Sequence, residues 1–226
     1  MTRCDPTPVA CGILLCLAFA PAAGIAQITV AGSAAVSLVE HRVDIGNGIE
    51  ESRGLLFGAG GVVDFRSRLE VTIGVAGGSL STNAAGAENR DVGEVGIEAS
   101  FLPVRWLAIQ GSARSRAYST AIARQHWTTV GLGAEARLDF ATSPVRGVLR
   151  GGLLPVVAVK GLPGPDAALT AAAGMEYRSG SITGGLFYGL ERYDFPDVGA
   201  GRRLEQVSKL TFRVTVQHGA RRASRL

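Results

Sequence analysis

The residues of this chain best placed for chemistry are charged side chains of both signs, spaced two positions apart. Glu135, Arg137 and Asp139 show the pattern, and Glu176 with Arg178 repeats it. Residues two apart on an extended strand project from the same face. Such charges can pair with one another or line a path for ions. The candidates for these two roles are Arg114, Arg116, Glu135, Arg137, Asp139, Arg146, Arg150, Glu176, Arg178 and Arg213.

Proton transfer is the other chemistry to consider, and it depends on the three histidines, His41, His126 and His218. A catalytic histidine needs an orienting partner within hydrogen-bond distance, and the sequence fixes no such distance. We therefore predict no catalytic residues and keep a hydrolase at the rim as a minor alternative. The polar residues that could stand near His41 or His126 are Asp44, Asp91, Asp194 and Ser119.

The N-terminus has the three parts of an export signal. Arg3 supplies a weakly positive start, residues 11–20 form an apolar core, and a small-x-small cleavage pattern ends at Ala26. Such segments direct a chain across the inner membrane and are then removed. We therefore predict a signal peptide at residues 1–26.

Cysteine positions and charge exclude several classes of protein. All three cysteines, at positions 4, 11 and 16, lie inside the predicted signal. The mature chain therefore has no disulfide, thiol nucleophile or cysteine-based zinc site, and we predict no cofactor and no metal. The formal net charge of +4 is unchanged by removal of the signal, because Arg3 and Asp5 cancel. A positive charge spread so thinly along the chain argues against nucleic-acid binding but is compatible with contact to acidic lipid headgroups.

Beyond residue 27 the chain alternates between apolar and polar positions. Val130, Leu132 and Ala134 lie at alternate positions together with other apolar residues, and we call these positions the apolar parity. Glu135 and Arg137 lie at the intervening positions, which we call the polar parity. This alternation predicts strands with two unlike faces. Ten such segments follow one another, at about 28–41, 53–66, 68–80, 91–102, 105–118, 127–140, 145–159, 168–178, 181–194 and 205–218.

The connections and the aromatic residues predict how these strands are arranged. Short turns alternate with polar loops of eight to eleven residues, at 42–52, 81–90, 119–126, 160–167 and 195–204. Four aromatic residues close successive even-numbered strands at intervals of 36, 39 and 37 residues, and they are Phe65, Phe101, Phe140 and Tyr177. Short turns at one end, longer loops at the other and an aromatic girdle are typical of transmembrane barrels. We predict an all-β fold, a closed antiparallel transmembrane β-barrel of ten strands, with eight as the alternative.

Lipid is favoured over water because the apolar parity is nearly free of charge. A soluble barrel turns its apolar parity inward, whereas a membrane barrel turns it outward. In strands, turns and aromatic positions, residues 27–218 resemble the small outer-membrane β-barrel proteins of Gram-negative bacteria. The resemblance implies an outer-membrane location, contact with outer-membrane lipids, and folding by the barrel-assembly machinery. A soluble, lipocalin-like binding barrel is the alternative.

The end of the chain departs from that family. Many members end on an aromatic residue that the assembly machinery recognises, but here the last residues form a basic tail at 219–226. The nearest candidate for that signal is Phe212. We expect the protein to be a monomer.

The predicted function follows from the charges of the lumen. Charges of both signs can pair across strands and fill a ten-stranded barrel. We therefore predict a structural or surface-interaction role with a largely plugged lumen. The alternative is a narrow pore that favours anions and is lined by Arg114, Arg116, Arg146 and Arg150.

Overall fold

The computed structural model describes residues 28–46, 48–83, 88–121, 123–197 and 202–218. Each neighbouring pair of strands is antiparallel, and β1 pairs with β10, so the sheet closes on itself. The predicted ten-stranded barrel is confirmed, and the eight-stranded alternative is wrong. The strands are β1 (Ile28–Asp44), β2 (Ile49–Phe65), β3 (Leu69–Thr82), β4 (Arg90–Val104), β5 (Leu107–Ser119), β6 (Arg124–Asp139), β7 (Val145–Val159), β8 (Ala167–Ser179), β9 (Ile182–Phe195) and β10 (Arg203–His218).

The two ends of the barrel differ in their connections. We call the end with the longer loops the outer end and the opposite end the inner end. Four to seven residues connect the strands at the outer end, and two to five connect them at the inner end. The predicted outer loops were therefore too long: most of 42–52 belongs to β1 and β2. Polar residues such as Arg42 and Glu51 continue the strand pairing beyond the apolar stretch, so the wall extends past it as strand.

The outward face of the wall is apolar over the middle of each strand. Phe57 and Leu132 are 64% and 62% exposed, and they point away from the lumen. On β1 and β2 this band runs from Ile28 to Leu38 and from Leu55 to Phe65. A tilted strand crosses the hydrocarbon core with about 9–11 residues. Since charges face inward along the same stretch, the arrangement is that of a barrel in lipid, the reverse of a soluble one.

Two prolines mark the irregular points of the wall. Pro155 lies on β7 where its register against β6 shifts, between Val130 and Leu132. Pro103 lies where the register of β4 against β5 shifts. A proline cannot donate to the strand ladder, so barrels place it at bulges or strand ends. These positions interrupt single ladders and leave the closed order of strands intact.

Part of the chain lies outside the described residues. The predicted signal peptide at 1–26 and the basic tail at 219–226 fall there, and both stay predictions. Within the described ranges, no helix is long and apolar enough to cross a bilayer.

Candidate functional site in the barrel lumen

Buried apolar side chains pack together at the outer end of the lumen. Trp127 is the centre of this group, since its ring meets Tyr193 at 5.1 Å, Phe195 at 6.0 Å and Tyr118 at 6.5 Å between centroids, all edge to face. Edge-to-face rings pack favourably. We call the group the outer plug, and it consists of Val39, Leu56, Leu80, Val92, Tyr118, Trp127, Val159, Ala168, Tyr193, Phe195 and Val207.

A buried histidine–carboxylate contact adjoins the outer plug. His41 Nε2 lies 3.0 Å from a carboxylate oxygen of Glu205, and the histidine is only 2% exposed. Arg203 donates to the other oxygen of Glu205 at 2.6 Å. The ring of Tyr118 stacks on His41 with a centroid distance of 5.0 Å. The pair is therefore held between the wall and the aromatic rings, where water has little access.

Five charges from four strands form the next layer, which we call the central cluster: Glu94, Arg114, Arg116, Glu191 and Lys209. Arg116 donates to Glu94 at 2.6 Å and to Glu191 at 2.9 Å. Lys209 donates to Glu94 at 3.0 Å. Arg114 contacts both carboxylates. Three cations thus share two carboxylates, and Tyr193 of the outer plug adds a hydrogen bond to Glu191 at 2.8 Å.

A second group, the inner cluster, surrounds Glu135 on β6 and includes Glu70, Glu98, Arg137 and Arg150. Arg137 donates to Glu135 at 2.5 Å, and Arg150 contacts the other oxygen. Glu70 and Glu98 lie 3.6 and 3.7 Å from Arg137 and Arg150 respectively. Glu135 is therefore shared by two guanidinium groups.

The inner end carries looser pairs, which we call the inner rim pairs. Glu176 lies 3.4 Å from Arg178 and 3.3 Å from Arg213. Asp139 accepts from Arg146 at 2.5 Å. The Arg178 side chain is 44% exposed, so water screens these pairs more than those of the central cluster.

An aromatic ring occupies space that glycines leave at the inner end. A Cβ on Gly174 or Gly185 would overlap the ring of Phe187, which therefore rests against the bare backbone of two strands. Arg213 lies over the other side of that ring, 4.7 Å from its centroid. The ring thus takes room that would otherwise be open beside the inner rim pairs.

Two cavities remain around the charges. The larger, of about 410 Å³, follows small residues of β1 to β3 and extends to Thr183 and Gln217 at the inner end. The smaller, of about 250 Å³, lies against β6 to β9 and ends at Tyr193 below the outer plug. Arg114, Arg150 and other charged residues border both. Both cavities are therefore lined by the charge clusters and lie inward of the outer plug.

The structure places all ten of the candidate charges on the inward face, each within 4.0 Å of an opposite charge. Asp139 pairs with Arg146 and not with Arg137. Arg114 and Arg116 belong to the central cluster, whereas Arg146 lies at the inner rim. The four arginines proposed for a pore therefore lie in three separate layers, each beside a carboxylate.

The girdle residues and the histidines face different surroundings. Phe65, Phe101, Phe140 and Tyr177 are exposed on the outward side at the inner end. His41 points into the lumen, but His126 points outward, where its Nε2 lies 3.1 Å from the hydroxyl of Ser115. The barrel wall separates these two histidines, so they do not form one site.

Sequence reasoning passed over several residues that the lumen uses. Glu94, Glu191 and Lys209 hold the central cluster together, and Tyr118, Trp127 and Tyr193 form much of the outer plug. All six share the parity of the candidate charges. An aromatic residue on the polar parity near an outer loop was the signal that could have identified the plug. Within the described ranges, no group of three His, Asp or Glu side chains is placed to hold a metal ion.

The closed sheet, apolar outer band and charged lumen together define a β-barrel of the outer-membrane type. The fold is similar to that of the outer membrane protease OmpT from Escherichia coli, with a TM-score of 0.56 and 8% identity, covering 84% of this chain and 97% of that one. The β domain of the Bordetella autotransporter BrkA gives a TM-score of 0.47 and 10% identity, covering 82% and 98%. The translocator domain of the autotransporter NalP from Neisseria meningitidis gives 0.45 and 16%, covering 85% and 88%.

No protein-family model and no curated protein sequence matches the chain. At 8% identity, the similarity to OmpT shows a shared fold. Fold and lipid-facing surface indicate a location in the outer membrane of a Gram-negative bacterium.

Proposed function

We propose that this protein is a closed, non-conducting barrel with a structural or surface-interaction role in the outer membrane. The observation that carries the proposal is the outer plug, in which Trp127 and Tyr193 are 3% and 1% exposed. Ions cross a membrane protein through a hydrated path. Among the described residues, each of the ten strands contributes at least one side chain to the outer plug, and its buried rings obstruct such a path at the outer end.

The charge clusters support the same function. Arg116 of β5 bridges Glu94 of β4 and Glu191 of β9, so the buried side chains of the central cluster narrow the space through which an ion would move. The cluster therefore acts as a second closure inward of the plug. All strand edges are paired around the ring, so the barrel needs no partner strand and acts as a monomer. As an outer-membrane barrel, it is handled by the assembly machinery and surrounded by lipid, without catalysis or a cofactor.

The test is single-channel current across a planar bilayer, with protein purified from the outer membranes of an expressing Gram-negative host. A gel comparison of heated and unheated samples first verifies that the barrel is folded. We expect a silent bilayer in concentrated potassium chloride. Reproducible current steps that fall when Arg146 and Arg150 are both replaced by Gln would overturn the proposal.

An anion-favouring pore is the second candidate, because of the charges around the larger cavity. Six cations and five carboxylates border it, namely Arg114, Arg137, Arg150, Arg178, Lys209 and Arg213 against Glu70, Glu94, Glu98, Glu135 and Glu176. An excess of cations attracts anions. The same recording separates the two functions, since a pore requires the plug to open.

A further inference from the structure

The outward face of the barrel changes from apolar to polar residues near the outer end, and two exposed cations there, on β2 and just before β10, lie beside acids. Arg53 on β2 lies 3.0 Å from Glu40 and 3.3 Å from Glu51. Arg202 donates to Asp194 at 2.8 Å. These cations have their charge matched within the protein.

The sector around β6 is different. Arg124 and His126 on β6 and Lys160 just after β7 are exposed and line one groove on the outward surface. We call these three residues the basic sector. At this height the outward positions of β5 and β7 hold serine and alanine but no acid, at Ser115, Ala117, Ser119 and Ala158. Within the described ranges, neither Arg124 nor Lys160 has a carboxylate within 4.0 Å.

Backbone register holds the basic sector together. The amide of Lys160 donates to the carbonyl of His126 at 2.9 Å, which places the two residues side by side on neighbouring strands. The hydroxyl of Ser115, 3.1 Å from His126 Nε2, orients the ring. Arg124 follows two positions further on the same face. Arg124 and His126 therefore lie on the barrel wall, and the backbone hydrogen bond fixes Lys160 at its edge.

The chemistry of the sector selects an anion. Arginine and lysine are hydrogen-bond donors without acceptor capacity, and guanidinium and ammonium groups both bind phosphate. Immediately below, the outward residues Val130, Leu132 and Val156 are apolar and exposed. A ligand that satisfies both surfaces carries a phosphate next to acyl chains.

We propose that the basic sector binds the phosphate group of an acylated anionic lipid in the outer leaflet. The phosphate lies between Arg124 and Lys160, with His126 beside it, and the acyl chains follow the apolar residues below. The inference is independent of whether the lumen conducts, because it uses only the outward face. It requires the long-loop end to face outward, as in barrels whose short turns are periplasmic.

The test is a titration of the folded, detergent-solubilised protein with diphosphoryl lipid A, followed by native mass spectrometry. The variant R124Q/K160Q removes two positive charges from the basic sector. The variant R42Q/R53Q removes two from the β1–β2 sector of the same surface, so the total charge of the two proteins is equal. Because each lost charge-assisted hydrogen bond weakens binding by about tenfold, we expect at least a tenfold loss for R124Q/K160Q and less than a threefold loss, roughly, for R42Q/R53Q.

Two further arms separate the phosphate from the rest of the lipid. Dephosphorylated lipid A should bind the unaltered protein as weakly as the diphosphoryl form binds R124Q/K160Q. Inorganic phosphate should not displace the lipid at equal concentration, because it lacks the acyl chains. The proposal is overturned by equal affinities for R124Q/K160Q and the unaltered protein, by an equal loss in R42Q/R53Q, by strong binding without phosphate, or by displacement with inorganic phosphate.

Discussion

The central cluster and the inner rim pairs are built from the same residue types but sit in different surroundings. In the central cluster, Arg116 is 5% exposed and Glu191 10%, and the outer plug excludes water from one side. At the inner rim, Arg178 is 44% exposed and pairs with Glu176 at 3.4 Å. Coulomb attraction is weak in water and strong where water is excluded. Ion pairs of the same residue types therefore contribute unequally to stability in the two regions.

This difference in the strength of the ion pairs implies different roles for the two ends of the lumen. Removing a partner from a buried cluster leaves an uncompensated charge, whereas a rim charge regains water. The outer half is therefore fixed by packing and by shared ion pairs, as the proposed closed barrel requires. The inner half borders the larger cavity, and we expect it to tolerate substitution better.

The strongest test of this contrast is Glu191→Gln. The substitution keeps the shape of the side chain but leaves Arg114 and Arg116 with Glu94 as their shared carboxylate. We expect the free energy of unfolding to fall by about 3–5 kcal/mol, the usual cost of breaking a buried pair. Reversible urea unfolding in lipid vesicles, followed by tryptophan fluorescence, measures it.

A second substitution distinguishes charge loss from shape loss in the central cluster. If Arg114 is also replaced by Gln, the cluster has two cations beside Glu94 instead of three. The double variant E191Q/R114Q should therefore recover part of the stability lost in E191Q. A double variant that is less stable than E191Q by the full cost of R114Q would contradict the idea of a shared network.

The same residues show which features of the lumen could be predicted from the sequence. Alternation around Glu135 and Arg137 was enough to predict which face they occupy, because the strand period is two residues. Which partner each charge meets was not predictable. Lys209 and Glu94 are 115 positions apart in the chain, and the closed order of the strands, together with side chains that reach across the lumen, brings them together.

The predicted loops were too long for a related physical reason. Charged residues such as Arg42 and Glu51 look like loop residues when hydropathy is read alone, yet they lie opposite each other in β1 and β2. In the barrel the strand ladder between β1 and β2 continues past the apolar band, so these residues remain in strands. The aromatic girdle was recognisable because its residues share the apolar parity. The aromatic residues of the outer plug lie among charged residues on the polar parity, so the alternation of apolar and polar positions did not identify them.

The inner cluster should respond less than the central one. Glu135→Gln removes the carboxylate shared by Arg137 and Arg150, but Glu70 and Glu98 stay within reach of these arginines. Because the Arg150 side chain is 30% exposed, water offsets part of the loss, and we expect about 1–3 kcal/mol. The urea titration used for E191Q measures it, and a cost above that of E191Q would reverse the ranking of the two clusters.

The inner rim should respond least. Arg178→Gln leaves Glu176 with Arg213, which lies 3.3 Å away and also caps the ring of Phe187. Exposed pairs contribute about 0–1 kcal/mol, so unfolding of R178Q should match that of the unaltered barrel within this range. Raising the salt concentration should shrink even that difference, because screening acts on exposed pairs and spares buried ones. A loss above 2 kcal/mol, roughly twice the upper limit for exposed pairs, would mean that the inner rim is as closed to water as the central cluster, and the contrast between the two ends of the lumen would fail.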